Sequence, residues 1–118
     1  MIDLIYYPNC STSKKAVKYL ETNNIEFIHT DIVKNPPSKT TLQTIIKLSG
    51  ESVNKLFNTS GKLYREFDLK NKKASMNTDE KLTLLSAHGM LIKRPILLTN
   101  DKALIGYNLE SYDAIFKP

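Results

Sequence analysis

The chain has 118 residues, 41% hydrophobic and 25% charged, which supplies one domain with one hydrophobic core and leaves too little length for two domains. Its formal charge of +5 rests on 17 basic residues, of which only Arg65 and Arg94 are arginines, and tryptophan is absent. Base readout and phosphate clamping draw on arginine and stacking aromatics, so scattered lysines predict a solvated surface and no direct contact with nucleic acid. The one local cluster, Lys70-Asn71-Lys72-Lys73, reads as a solvated loop, with attraction to acidic partners left open.

The run Met1-Ile2-Asp3-Leu4-Ile5-Tyr6-Tyr7-Pro8 has an early acidic residue and no basic region ahead of a long apolar stretch, unlike a signal peptide. No apolar stretch approaches the roughly 20 residues of a membrane helix. A single cysteine cannot close an internal disulfide, in keeping with a reducing compartment. The expectation is a cytoplasmic monomer without membrane contact, whose only disulfides join it to other molecules.

Ile2 to Tyr7 is apolar on both faces except at Asp3 and rich in β-branched and aromatic residues, as in a strand covered by helices on both sides. Pro8 ends it. From Ser11 to Asn24, Ala16, Val17 and Leu20 recur at helical spacing among Lys14, Lys15, Lys18 and Glu21, predicting an amphipathic first helix. Asn23-Asn24 stop that helix, and Ile25 to Ile32 reads as a second strand, parallel to the first in a right-handed unit.

Asn35-Pro36-Pro37-Ser38 breaks the chain, with Ser38 placed to cap a helix that carries Leu42, Ile45 and Ile46 and closes at Gly50. Val53, Leu56 and Phe57 predict a short helix, and Leu63, Tyr64 and Phe67 another after Gly61. Asn77 with Glu80 resembles a capping box ahead of Leu82 and Leu85, with Gly89 as the stop. Together these make an all-helical insert over about 38–90. Beyond Arg94-Pro95, Ile96–Thr99 and Ala103–Gly106 form two strands around the turn Asn100-Asp101-Lys102, and Leu109, Tyr112, Ile115 and Phe116 define a terminal helix. The order β-α-β, helical insert, β-β-α predicts a single α/β domain over 1–118, with a mixed four-stranded sheet flanked by helices.

In Tyr7-Pro8-Asn9-Cys10-Ser11-Thr12-Ser13-Lys14, the cysteine stands between the end of the first strand and the start of the helix. A free thiol with a pKa of about 8.5 is only about 3% thiolate at neutral pH. Unpaired helix N–H groups and the macrodipole supply up to about 2 kcal/mol towards its ionised form, and a nearby cation would add to that. Ser11, Thr12 and Ser13 add hydroxyls suited to a thiolate or an oxyanion. A buried, inert cysteine behind ordinary Ser/Thr capping is the alternative reading of the same residues.

Pro8-Asn9-Cys10, the stretch Leu56-Phe57-Asn58-Thr59-Ser60-Gly61-Lys62-Leu63-Tyr64-Arg65, and Ile92-Lys93-Arg94-Pro95-Ile96 occur in a familiar order and spacing. By these motifs the chain resembles the arsenate reductase ArsC/Spx/YffB family over essentially its whole length. The resemblance implies the thioredoxin-like fold, a cis Pro95 facing the active cysteine, and Arg94 directed at the thiolate or a bound oxyanion. Arsenate-reducing members use three arginines around the thiolate and its arsenate adduct, and only Arg94 is matched here. Asn58 and Tyr107 stand at the other two positions, where an amide and a phenol do not replace two fixed charges. Regulators of the Spx type generally carry a Cys-x-x-Cys switch, which Ser13 at the second position excludes.

The leading expectation is a thiol-dependent, monothiol, glutaredoxin-like oxidoreductase in which Cys10 forms a mixed disulfide or an oxyanion adduct that a low-molecular-weight thiol resolves. Cys10 and Arg94 are the expected catalytic pair. Asn9, Ser11, Thr12 and Ser13 line the loop, Pro95 shapes the groove wall, and Asn58 and Tyr107 complete the substrate side. Expected partners are a low-molecular-weight thiol or oxidised protein thiols, with no bound cofactor. No metal is expected either, since His29 on a strand and His88 beside a helix stop have no ligand spacing with Cys10. The alternatives are a non-catalytic Spx-like regulator that binds RNA polymerase, and an arsenate reductase.

Overall fold

The computed structural model describes residues 1–118. In chain order they form β1 (Asp3–Tyr6), α1 (Ser11–Thr22), β2 (Ile28–Asp31), α2 (Lys39–Ser49), α3 (Lys62–Glu66), α4 (Leu69–Lys72), α5 (Thr78–Ala87), β3 (Ile96–Leu98), β4 (Ala103–Ile105) and α6 (Leu109–Phe116). Short 3-10 turns at Val53–Leu56, Lys73–Ser75 and Gly89–Leu91 complete the insert. The four strands make one mixed sheet in the order β2-β1-β3-β4, with β1 parallel to β2 and antiparallel to β3, and β3 antiparallel to β4. This is the thioredoxin-like arrangement expected from the sequence.

The period-2 alternation of β1 places a separate apolar cluster on each face of the sheet, so the core is divided where the length alone predicts a single one. Leu4 packs on one face with Ala16, Tyr19 and Leu20 of α1, Leu97 of β3 and Tyr112 of α6. Ile5 packs on the other with Ile96 and the insert residues Leu42, Ile45, Leu56 and Leu85. Leu4 and Ile5 are 0% and 2% exposed, each contributing about 1.5–3 kcal/mol by burial. A strand apolar on both faces therefore requires the insert as one of its covers.

The insert is capped as its sequence predicts. The Thr41 N–H donates to Ser38 Oγ at 3.1 Å, and Asn77 and Glu80 exchange both capping-box bonds at 2.8 and 3.0 Å. Gly89 is buried beneath the end of β2, where a Cβ would run into the Ile32 carbonyl.

Two segments differ from expectation. The second strand covers only Ile28–Asp31, because the Ile25 N–H turns back to the Leu20 carbonyl at 2.9 Å and β1 offers only four partners, Asp3 to Tyr6. The cluster Lys70–Lys73 is not a loop. Leu69 is buried and anchors a helical turn there, and the Lys73 ammonium lies 5.0 and 5.2 Å from the ring centres of Phe57 and Tyr64. No helix is long and apolar enough to cross a membrane.

Candidate functional site

After β1 and Pro8 the chain turns tightly, the Cys10 N–H donating to the Tyr7 carbonyl at 2.9 Å. Cys10 is the N-cap of α1, in extended backbone (φ −93°, ψ 124°), with its carbonyl accepting from the Lys14 N–H at 3.0 Å. Its thiol makes no capping bond and is partly exposed. Ser13, one turn on, is completely buried, and its Oγ accepts the Tyr7 N–H at 3.2 Å. Partial burial pushes the Cys10 thiol up. The N–H and hydroxyl of Ser13, the N–H of Thr12 and the charge of Arg94 outweigh that and hold it below the ordinary thiol value.

Arg94 precedes a cis peptide bond to Pro95. Its Nη1 donates to the carbonyls of Met90 and Ile92 at 3.1 and 3.2 Å, and its Cζ lies 5.3 Å from the centre of the Tyr7 ring. The guanidinium is thus fixed by backbone and by an aromatic face, with no carboxylate to neutralise it. The Pro95 carbonyl accepts the Gly106 N–H at 2.7 Å, which draws the end of β4 to the site. An isolated bridge between Phe57 and Ile92 draws in the insert, flanked by Asn58 N–H to the Leu91 carbonyl and Lys93 N–H to the Leu56 carbonyl, both 2.7 Å.

These two seams and the Cys10 loop border a groove of about 870 Å³. Of the residues singled out from sequence, Cys10, Thr12, Asn58, Arg94 and Tyr107 line it together. Ser13 lies beneath the loop, Asn9 and Ser11 face solvent outside the groove, and Pro95 is buried behind it, so these four do not form its lining. Tyr107 stands edge-on to Tyr112 with ring centres 4.7 Å apart, tying the groove to the α1/α6 core. Arg65, the other arginine, is exposed and donates to the Ser60 carbonyl at 3.1 Å.

Sequence reasoning did not single out Lys55, Lys93 and Glu51, which also line the groove. Lys93 carried a signal in its place beside Arg94, but Lys55 and Glu51 are ordinary surface residue types that only the folded insert brings there. His29 is exposed, with Nδ1 3.0 Å from the Tyr6 hydroxyl, and the His88 ring packs edge-on against Phe67 at 5.1 Å. No three His, Cys, Asp or Glu side chains come together as metal ligands.

A partly exposed cysteine at the entrance to the first helix, facing an arginine that precedes a cis proline, marks a thioredoxin-fold protein with a single-cysteine site. The model of the ArsC family matches residues 5–115. The chain belongs to the ArsC family. It is 42% identical over 108 residues to the uncharacterised protein YusI of Bacillus subtilis, covering 92% of each chain. It is 31% identical over 115 residues to an arsenate reductase of Neisseria meningitidis, covering 97% of each. A crystal structure of an ArsC-family-related protein from Bacteroides fragilis superposes with a TM-score of 0.93 at 39% identity, over 97% of this chain and 96% of that one. Other relatives are named global transcriptional regulator Spx.

Proposed function

We propose that this chain is a monothiol, glutaredoxin-like oxidoreductase. The Cys10 thiolate attacks the small-thiol sulfur of a protein mixed disulfide, the S–S bond breaks, and the protein leaves as its thiolate. A second low-molecular-weight thiolate attacks the same sulfur of the Cys10 adduct, releasing Cys10 as thiolate and the small thiol as its own disulfide. The observation that supports this reading is the partly exposed thiol of Cys10 at the entrance to α1, in one groove with Arg94. Alkylation of Cys10 across pH, followed by mass spectrometry, tests it. A midpoint below the free-thiol value of about 8.5 is expected, and one at or above it removes the mechanism.

Arsenate reduction is the second reading, and one observation favours it. Lys55 and Lys93 bring positive charge to the groove, where Asn58 and Tyr107 supply none. Lysine lacks the planar fork that clamps an oxyanion in two bonds, which ranks this reading behind the first. Turnover of arsenate with a thiol donor would select it. Equal capture of RNA polymerase subunits by the wild type and by Cys10→Ser would instead replace both with a binding-only role.

A further inference from the structure

We propose that the exposed lysine face of α1, made by Lys14, Lys15 and Lys18, docks an acidic segment of the protein whose mixed disulfide Cys10 attacks. This rests on the reading of Cys10 as a redox thiol and adds to it the kind of protein substrate.

The sequence of α1 runs against the electrostatics of its own end. A helix N-terminus favours carboxylates and disfavours ammonium groups, yet the first turn of α1 holds no acid and its first two turns hold all three lysines. Lys18 stands four positions after Lys14 and three after Lys15, so the like charges also meet on one face. The other helices avoid this. α5 and α6 open with Asp79, Glu80 and Glu110, and Lys39 at the start of α2 is paired with Asp79 at 2.6 Å. The three α1 lysines are exposed and make no ion pair, and Glu21, the one other charge of the helix, makes none either. Negative charge supplied from outside relieves both the dipole conflict and the mutual repulsion.

The lysine face is continuous with the groove. Lys15 and Lys18 line a shallow cleft of about 280 Å³ together with Tyr19 and Tyr107, and Tyr107 also lines the Cys10 groove. The carboxylate beside Tyr19, that of Asp113, is taken up by the Tyr19 hydroxyl at 2.6 Å and the Lys117 ammonium at 3.9 Å. It is therefore engaged elsewhere, and Lys15 and Lys18 stay uncompensated. At about 1.5 Å of rise per residue, Lys14 to Lys18 lie about 6–12 Å along the helix from Cys10, a distance that about two to four residues of extended chain span. The segment that fits thus carries carboxylates within about four residues of its modified cysteine. A nucleic acid fits less well, because the face has no arginine and no free ring to stack on a base: Tyr19 is buried and Tyr107 packs edge-on against Tyr112.

The test uses three synthetic peptides, each with one cysteine held as a mixed disulfide with 2-mercaptoethanol and flanked on both sides by Glu, Gln or Lys. Cys10 thiolate takes the 2-mercaptoethanol sulfur, the S–S bond breaks, and the peptide leaves as its thiolate, which mass spectrometry follows. The quantity read is the rate constant with the protein divided by that with free 2-mercaptoethanol on the same peptide, which cancels the effect of the flanks on the leaving thiol. This quotient is expected to be largest for the Glu peptide and smallest for the Lys peptide, with the difference shrinking as salt is added. For the Glu peptide it should fall about threefold in Lys15→Gln or Lys18→Gln and about tenfold in the double variant, while Lys102→Gln on the β3–β4 turn leaves it unchanged. A Glu-peptide advantage that is absent, or that survives in the double variant, would overturn the docking face alone if the Gln peptide still reacts faster than with free 2-mercaptoethanol. Reaction of all three no faster than that would overturn the oxidoreductase reading and the docking face with it. Tighter binding of duplex DNA than of the Glu peptide, lost in the double variant, would reassign the face to nucleic acid.

Discussion

The Tyr7 N–H donates to the buried Ser13 hydroxyl at 3.2 Å, joining the end of β1 to the first turn of α1 across the loop that carries Cys10. The same hydroxyl acts on the Cys10 sulfur, so one side chain both shapes the loop and favours the thiolate. Ser13→Ala is expected to raise the alkylation midpoint of Cys10, and Arg94→Met to raise it as well, because each removes a group that stabilises the anion. An unchanged midpoint in both variants would show that neither group reaches the sulfur.

Cys10 also links stability to pH. A folded-state pKa below the unfolded one means that the unfolded chain binds more protons, so stability rises with pH between the two values. The contribution is complete above the unfolded pKa and is lost as pH falls through the folded one. Denaturation of wild type and Cys10→Ser from about pH 6 to 9 should show the wild type gaining relative stability as pH rises. Parallel curves would contradict the lowered thiol.

Asp3 has the opposite sign. Burial at the start of β1 raises its carboxyl above the ordinary value, against the opposing effects of the Thr30 hydroxyl bond and nearby His29. The folded state then binds more protons, and stability is lost as pH rises through the folded pKa. Asp3→Asn should raise the Tm at neutral pH and lose that advantage near pH 3, where the wild-type carboxyl is protonated. A gain that persisted in acid would assign the effect to something other than charge.

The fold was legible because its signals are local. Pro8, Ser38, Asn77 with Glu80, and the apolar faces of β1 and α6 each act within a few residues of themselves. The second strand was misjudged in length because its limit lies in β1, which offers only Asp3 to Tyr6 as partners. The helical turn at Lys70 was hidden for a similar reason: Leu69 secures it by burial against distant residues, which four polar letters do not reveal. At the site, Cys10 and Arg94 stand out by type and by motif. Lys55 is one of many lysines until the Phe57–Ile92 bridge brings its segment to the groove.

Tyr112 tests the cost of an unpaired polar atom. Its ring is 0% exposed and its hydroxyl has no hydrogen-bond partner, while neighbouring Tyr19 donates to Asp113 at 2.6 Å. Burial, with Tyr107 close by, raises the Tyr112 pKa, and burial together with the Asp113 contact pushes Tyr19 up to about 12. Tyr112→Phe should stabilise the protein by about 1 kcal/mol, whereas Tyr19→Phe should cost about as much. Chemical denaturation of the two variants decides it, and a loss on Tyr112→Phe would mean that its hydroxyl is satisfied in solution.

Gly89 offers a test of packing. An alanine there would force its methyl into the Ile32 carbonyl, at the junction of β2 with the insert. Overpacking against backbone costs about 3 kcal/mol, enough to lower the Tm substantially. A Gly89→Ala protein that melts with the wild type would show that this junction is loose.

The seam between Phe57 and Ile92 lets two distant stretches of chain line the same groove. Cys10 and Arg94 stand on one side, and Ser49, Glu51, Lys55, Asn58, Ser60 and Gly61, from the segment that the seam holds against the sheet, stand on the other. Substitutions along that segment can therefore reshape the groove while the loop that carries Cys10 keeps its own local bonds.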